Sequence, residues 1–413
     1  MNKKFWNACL GNLFEHYDAA LFGILSPFLA DFLFPEHEPV TALILTYAMI
    51  PLGVLSRPLG ALVFGYIGDL YGRGRALFFS LAGMGVVSLG MALSPTYLQA
   101  GIMVPVIFCL GRILQNFFAS GETIGGAIFL LENSEEKKHD LLSSLFSAST
   151  IGGALLASAG VSILSLCGLI SSGWRLLYLF GCITAFFGCM VRRHSNEAQD
   201  RSIQKMNFFQ SLIHQGKVFY FHRRCLLSII LVSGFDYAHY SISLILMNGF
   251  VPLVSSFSKQ EMMGLNTILI IFDFLLFPVI GLLSSKISRE KMMIGAAIAV
   301  ILGATPAFLL LKEASLITVS LIRVCFVIVG VAFCSPFHSW AQHLVPPQHR
   351  YTLISFGYAL GSRVLGVPTA AISLWCFQKT GMLGSVAWYW MFLAVLSIIA
   401  IVVPLRSKVR ESV

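Results

Sequence analysis

Charge is what this chain has least of. Asp, Glu, Lys and Arg make up 11% of its 413 residues and hydrophobic side chains 57%, with a mean hydropathy of +0.81. A soluble globule of this size needs far more polar surface to face water, so lipid must solvate much of the chain. The nine cysteines are scattered through apolar runs without Cys-x-x-Cys spacing, which argues against a zinc site or a disulfide framework. The net charge of +9 is not gathered on one face or tail, so nucleic acid is not the expected partner. No cleavable signal is expected either, because Met1-Asn-Lys-Lys leads into a first run long enough to span and remain in the protein.

What the chain does have is apolar length. Twelve runs approach or exceed the ~20 residues a bilayer requires: 6–33, 40–68, 76–94, 99–131, 142–169, 174–192, 225–255, 263–286, 291–311, 314–343, 351–378 and 384–405. The division between the ninth and tenth falls at Lys312-Glu313. All twelve should be helices, since lipid offers a backbone no other hydrogen-bond partner. Of the 28 Lys and Arg, 20 lie in the N-terminus, the even-numbered connections and the C-terminus, whereas Arg175, Lys259, Lys312 and Lys379 fall on the opposite side. Positive residues stay inside, so both termini are expected in the cytoplasm. The four that remain, Arg57, Arg112, Arg323 and Arg363, lie inside apolar runs.

The longest polar connection, 193–223, divides the chain into two sets of six. The expected organisation is a bundle over 1–192, a cytoplasmic loop over 193–223 and a second bundle over 224–413. Between the second and third runs stands Gly65-x-x-x-Asp69-x-x-Gly72-Arg73. Its glycines permit close helix approach and a sharp turn, and Arg73 and Arg75 mark it as cytoplasmic. A faded copy, Gly281-Leu-Leu-Ser-Ser-Lys-Ile-Ser-Arg289-Glu-Lys291, occupies the matching place in the second half. The hairpin resembles the signature between the second and third helices of the major facilitator superfamily of transporters. That resemblance implies an all-α membrane protein with a central path between two six-helix bundles and the solute near the midplane. Leu70 and Gly74 stand where the signature has basic residues.

The chemistry lies in ionisable residues inside the runs. At ~2.5 to 3.5 kcal/mol each, the acids Glu15, Asp18, Glu122, Asp236 and Asp273 and the four arginines would together cost on the order of 20 to 30 kcal/mol if each stood alone. They must pair, neutralise or face water. Glu15 and Asp18 are three apart on one face of the first helix. Arg112, Gln115, Ala119, Glu122 and Gly126 fall within about 80° of one another on the fourth. Asp236, His239, Tyr240 and Ser243 form a comparable stripe on the seventh. Buried carboxylates can carry a proton, and buried arginines offer bidentate donors to a carboxylate ligand. Asp273 reads either as a second proton site or as a partner of Arg323 or Arg363, and His338 and His343 as groups at the membrane interface.

Further stretches narrow the resemblance. Gly11-Asn-Leu-Phe-Glu-His-Tyr-Asp18, Arg112-Ile-Leu-Gln115 with Gly121-Glu-Thr-Ile-Gly-Gly126 and Glu132, Gly173-Trp-Arg175, and Pro346-x-x-x-Arg350-Tyr351 with Gly366-x-Pro368 resemble, in order, segments of the metabolite:proton symporter family, which includes proline/betaine, 2-oxoglutarate, citrate and shikimate transporters. The resemblance implies that Glu15, Tyr17 and Asp18 line the solute and proton path, with Arg112, Gln115 and Glu122 facing them; the seventh-helix stripe and the buried arginines add Asp236, His239 and Arg363 from the second half. It also implies a cytoplasmic latch of Asp69, Arg73 and Glu132 near Tyr351. His16 stands where an aromatic residue is usual.

The function expected is proton-coupled symport of a small zwitterionic or carboxylate-bearing solute such as proline or betaine, with a dicarboxylate symporter, uniporter or exchanger as alternatives. The partners are the solute, protons and the lipid bilayer. A monomer without cofactor or metal is expected, in a bacterial inner membrane. An enzyme would need a nucleophile, metal or acid–base grouping near one membrane surface, and the sequence offers none.

Overall fold

The computed structural model describes residues 3–411 apart from 54–55, 58, 61–62, 65–72, 120–126, 128–129, 132–133, 194–207 and 313. Among the described residues every regular element is helical. This follows from the composition, because a helix satisfies its backbone within one segment.

The first six segments are α1 (Lys3–Leu33), α2 (Pro39–Ala48, followed by a 3-10 turn Ile50–Gly53), α3 (Arg73–Ala92), α4 (Met103–Phe118), α5 (His139–Leu166) and α6 (Ile170–Arg193). The next three are α7 (Arg223–Val254), α8 (Lys259–Ser284) and α9 (Arg289–Leu309). The last are α10 (Leu316–Leu344), α11 (Arg350–Leu360, Gly361–Gly366 and Thr369–Thr380) and α12 (Trp388–Glu411). Segments α5 and α7 to α12 are each long and apolar enough by length and composition to cross a membrane, and the other five fill the remaining places of the expected twelve. α9 stops at Leu309, and Ser315 caps α10 by accepting from the Thr318 N–H at 3.2 Å, so the ninth and tenth segments are separate helices as expected. The second-half hairpin is a tight turn between Ser284 and Arg289, with Ser288 as the cap of α9. Two short π-helical stretches, Ser241–Leu246 in α7 and Gly361–Gly366 in α11, interrupt the regular winding; such turns often mark functional positions.

The connection over 193–223 departs from expectation. Its second half is an α-helix, Phe208–Phe221, rather than a polar loop. Val218 is buried and the Phe219 ring stacks on Phe356 of α11 at 4.5 Å, so tertiary packing overrides the polarity of the stretch.

In the first half α1 lies along α5, and α3 along α4 and α6. In the second α7 packs against α11 and α12, and α9 against α10 and α12. The halves meet where α5 runs against α8 and α2 against α11. The approach of α1 to α5 is close enough that a Cβ at Gly153 would sit 2.3 Å from the Leu13 carbonyl oxygen.

Polar contacts close the seam at both ends. On the outer side Lys259 Nζ donates to Asp31 Oδ2 at 2.7 Å and to the Pro27 carbonyl at 2.9 Å, and the Tyr47 hydroxyl donates to the Ile245 carbonyl at 3.1 Å. On the cytoplasmic side Arg289 Nε donates to Asp140 Oδ1 at 2.6 Å, the Ser143 hydroxyl to the Ser335 carbonyl at 2.8 Å, and the Ser144 hydroxyl to the Phe277 carbonyl. His343 adds a contact there, with Nδ1 2.7 Å from the Ser339 carbonyl and Nε2 2.9 Å from Glu136 Oε1. His343 thus lies at the cytoplasmic end as expected. His338 does not lie at the membrane interface: its ring is half-buried between Phe146 of α5, at 5.6 Å, and Tyr358 of α11, at 6.4 Å.

Two outcomes follow for the cytoplasmic closure. Asp140→Asn removes a charge-assisted hydrogen bond of about 1.5–3 kcal/mol, so labelling of a single cysteine placed at the cytoplasmic mouth should rise about tenfold or more; an unchanged rate would show that the ion pair does not hold the gate. His343→Ala, which removes the contacts to the Ser339 carbonyl and Glu136, should raise the labelling rate as well. A His343→Ala variant labelled at the parental rate would rule the histidine out.

Candidate functional site

The buried charges are resolved one at a time. Arg57 Nη2 donates to Glu15 Oε1 at 2.7 Å and approaches the Ala119 carbonyl at 3.4 Å, so α1 and the segment after α2 are joined by an ion pair. Arg112 lies over the Phe22 ring at 5.0 Å and donates from Nη1 to Gln115 Oε1 at 3.0 Å. Gln115 Nε2 donates to Ser88 Oγ at 3.2 Å, and Ser88 Oγ donates to Asp18 Oδ1 at 3.3 Å. A cation on α4 is thereby linked to a carboxylate on α1 through one amide and one hydroxyl. All four side chains are buried.

These groups border a narrow central cavity lined by Asp18, Ala19, Met84, Arg112, Gln115, Asn116, Ala119 and, from the second half, Arg363. Its free volume of about 10 Å³ is on the order of one water. Among the described residues this space is too small for an organic solute. Arg363 stands in the π-helical turn of α11 with its guanidinium over the Tyr237 ring at 5.7 Å. It has no hydrogen-bond acceptor among the described residues, and the Nε atoms of both Arg363 and Arg112 are buried without a partner. Orphaned buried donors on two arginines at one cavity suit an anionic group.

Four of the expected path residues, Asp18, Arg112, Gln115 and Arg363, therefore meet at one place. Glu15 lies beside them, engaged by Arg57. Tyr17 is turned into the first half instead: its hydroxyl donates to the Leu177 carbonyl at 2.8 Å and its ring meets Phe180 edge-on at 5.2 Å. The α7 stripe also faces elsewhere. Asp236 is half-buried on α7 and is not among the residues lining the cavity. His239 packs on Trp390 of α12 at 5.2 Å and fills the space beside Gly330. In a membrane helix a polar residue must be buried, and here neighbouring helices bury these two.

Asp273 is buried with no hydrogen bond or ion pair among the described residues. It is not the partner of Arg323, which donates to Asn248 Oδ1 at 2.8 Å, Asn266 Oδ1 at 2.6 Å and the Ser243 and Met262 carbonyls, nor of Arg363. His16 Nδ1 hydrogen-bonds the Asn12 carbonyl at 2.8 Å, one turn back. Glu122, Asp69 and Glu132 lie outside the described residues, as does the side chain of Arg73, whose backbone begins α3.

Sequence reasoning missed Ser88, Asn116 and Tyr237. Nothing in the α3 pattern sets Ser88 apart from other serines. Tyr237 was within reach, since it neighbours Asp236 and is an aromatic able to hold an arginine.

Comparison with known proteins follows from this geometry. The model of the Major Facilitator Superfamily matches residues 8–367. The proline/betaine transporter of Salmonella typhimurium is 27% identical over 423 residues, covering 97% of this chain and 82% of its own. The citrate-proton symporter of Klebsiella pneumoniae is 26% identical over 404 residues, covering 94% and 88%. Among solved structures, a D-xylose-proton symporter superposes with a TM-score of 0.75 at 15% identity, covering 97% of this chain and 96% of that one, a likeness of fold.

Asp18 is held against α6 by the absence of a side chain at Gly181, where a Cβ would lie 2.1 Å from Asp18 Oδ1. Gly181→Ala should push the carboxylate off Ser88 and reduce solute accumulation about tenfold or more at unchanged helix content. Gly90→Ala, which meets nothing within 4 Å, is the control. Parental accumulation by Gly181→Ala would disconnect the Asp18 position from function.

Proposed function

This chain belongs to the major facilitator superfamily, and from that membership we propose that it is a secondary active transporter of a bacterial inner membrane, coupling proton entry to uptake of a small carboxylate-bearing solute by alternating access. The two moving bodies are residues 1–192 and 224–413. The whole path lies within one chain, so a monomer suffices, and the work is transport rather than catalysis.

The reading rests on the cavity shared by Asp18, Arg112 and Gln115 from one half and Arg363 from the other. Asp18 is the proton carrier, because among the described residues it is the carboxylate at the cavity and its one hydrogen-bond donor is a neutral hydroxyl. Arg112 and Arg363 are the anchors for the solute carboxylate, each with a buried donor unused by the protein. A solute that bridges both would draw the two halves together, which is the closure alternating access requires. Glu15 and Arg57 hold α1 to the second helical segment beside the site. Glu122, and the latch of Asp69, Arg73 and Glu132, complete this assignment on the strength of the family resemblance.

For the solute, the named relatives favour a zwitterion: besides the proline/betaine transporter, a glycine betaine/proline/ectoine/pipecolic acid transporter of Dickeya dadantii is 26% identical over 416 residues, covering 97% of this chain and 82% of its own. A second reading, a di- or tricarboxylate, is favoured by the presence of two arginines at one cavity and by the citrate-proton relative.

Proteoliposomes with an imposed inward proton gradient should accumulate labelled proline or betaine, or 2-oxoglutarate on the second reading. Asp18→Asn should abolish gradient-driven accumulation. Arg363→Ala should raise KM by roughly 10- to 100-fold, the loss of one charged hydrogen bond. A parent that accumulates none of the three solutes, or does so regardless of the gradient, would overturn the proposal.

A further inference from the structure

The hydrogen atoms of the Arg112–Gln115–Ser88–Asp18 chain can be placed by chemistry alone. A guanidinium has only donors, so the Gln115 amide must present its oxygen to Arg112 Nη1 at 3.0 Å, which turns its NH2 toward Ser88 at 3.2 Å. The Ser88 oxygen accepts there, and its own hydrogen is then directed at Asp18 Oδ1, 3.3 Å away. Every bond points the same way, from cation to carboxylate, and hydrogen bonds aligned in series polarise one another. The chain draws its residues from three helices, α1, α3 and α4, so no local turn of backbone enforces it.

From this arrangement we propose that Ser88 and Gln115 are the positioning residues through which the proton and the solute carboxylate sense each other. While Asp18 is ionised, the relay ends on an anion and Arg112 is engaged toward it. A proton on Asp18 cancels that anion, the Ser88 hydroxyl loses its charged acceptor, and the positive charge of Arg112 is left to the cavity beside Arg363. Solute carboxylate binding is then strengthened by the proton, and by thermodynamic reciprocity the bound solute holds the proton more tightly. Among the described residues the other charged or titratable groups around Asp18 are Tyr178 of α6, Tyr17 of its own helix, and Arg363 of α11 at the shared cavity. The relay is what connects Asp18 to Arg112 by hydrogen bonds. This inference rests on the symport reading above and adds the residues that couple its two ligands.

The test is the slope of log KM for the accumulated solute against external pH, measured in proteoliposomes. The parent should lose affinity by about tenfold per pH unit on the alkaline side, as expected for one linked proton. Ser88→Ala and Gln115→Leu should each flatten that slope, Ser88→Thr should restore it, and the double variant should be no flatter than either single, because both cut one chain. A parental slope in Ser88→Ala, or additive flattening in the double variant, would overturn the inference. A parent that accumulates solute on a proton gradient without any slope would overturn the inference while leaving the symport reading standing. A parent that accumulates nothing would remove both.

Discussion

Everything in this molecule depends on the cost of charge away from water. A membrane interior has no solvent to hold an ion, so each ionisable side chain inside a span must be given a partner, a proton or a wet surface. The four arginines inside apolar runs meet that demand in four ways: Arg57 by a carboxylate, Arg112 by an amide and an aromatic face, Arg323 by two asparagines and carbonyl oxygens, and Arg363 by a tyrosine ring alone. The least satisfied groups are those at the cavity, which is where a ligand can complete them.

The same constraint decides what can be read from the sequence. The twelve spans were legible because lipid imposes length and apolarity on each. Asp18, Arg112 and Gln115 were legible because they fall on polar faces of otherwise apolar helices. What the pattern could not give was helix rotation about a neighbour. Asp236 and His239 form as clean a stripe as the α4 residues, yet His239 packs on Trp390 and Asp236 is not in the cavity lining, because polarity says that a residue is buried without saying against what. Partner choice was hidden for a similar reason. Arg323 looked in need of an acid, and Asn248 and Asn266, contributed by α7 and α8, satisfy it with dipoles instead. Ser88 was invisible because serines in packed helices commonly bond back to their own backbone, as Ser26 and Ser233 do here.

The halves are joined by polar contacts at both ends. At the outer end Lys259 grips one carboxylate and one carbonyl of α1, and Tyr47 and Gln378 add hydrogen bonds, while at the cytoplasmic end an arginine, a histidine and two serine hydroxyls contribute across the seam. Individually such contacts are weak against hydrophobic packing. They are also exchangeable for water, so the seam can part at either end while the apolar contacts inside each half persist. A transporter needs that division between durable packing and replaceable polar contacts.

Asp18 occupies the middle of the 31-residue α1. A proton carried there stands about halfway through the electrical drop of the membrane, and moving a full elementary charge across 100 mV is worth ≈ 2.3 kcal/mol. Loading from outside and release to inside would each cross part of that drop, so membrane voltage would act on both halves of the cycle. With Asp18 as the proposed proton carrier, the position of one carboxylate along one helix would set how the stored electrical energy of the cell is divided between taking a proton up and letting it go.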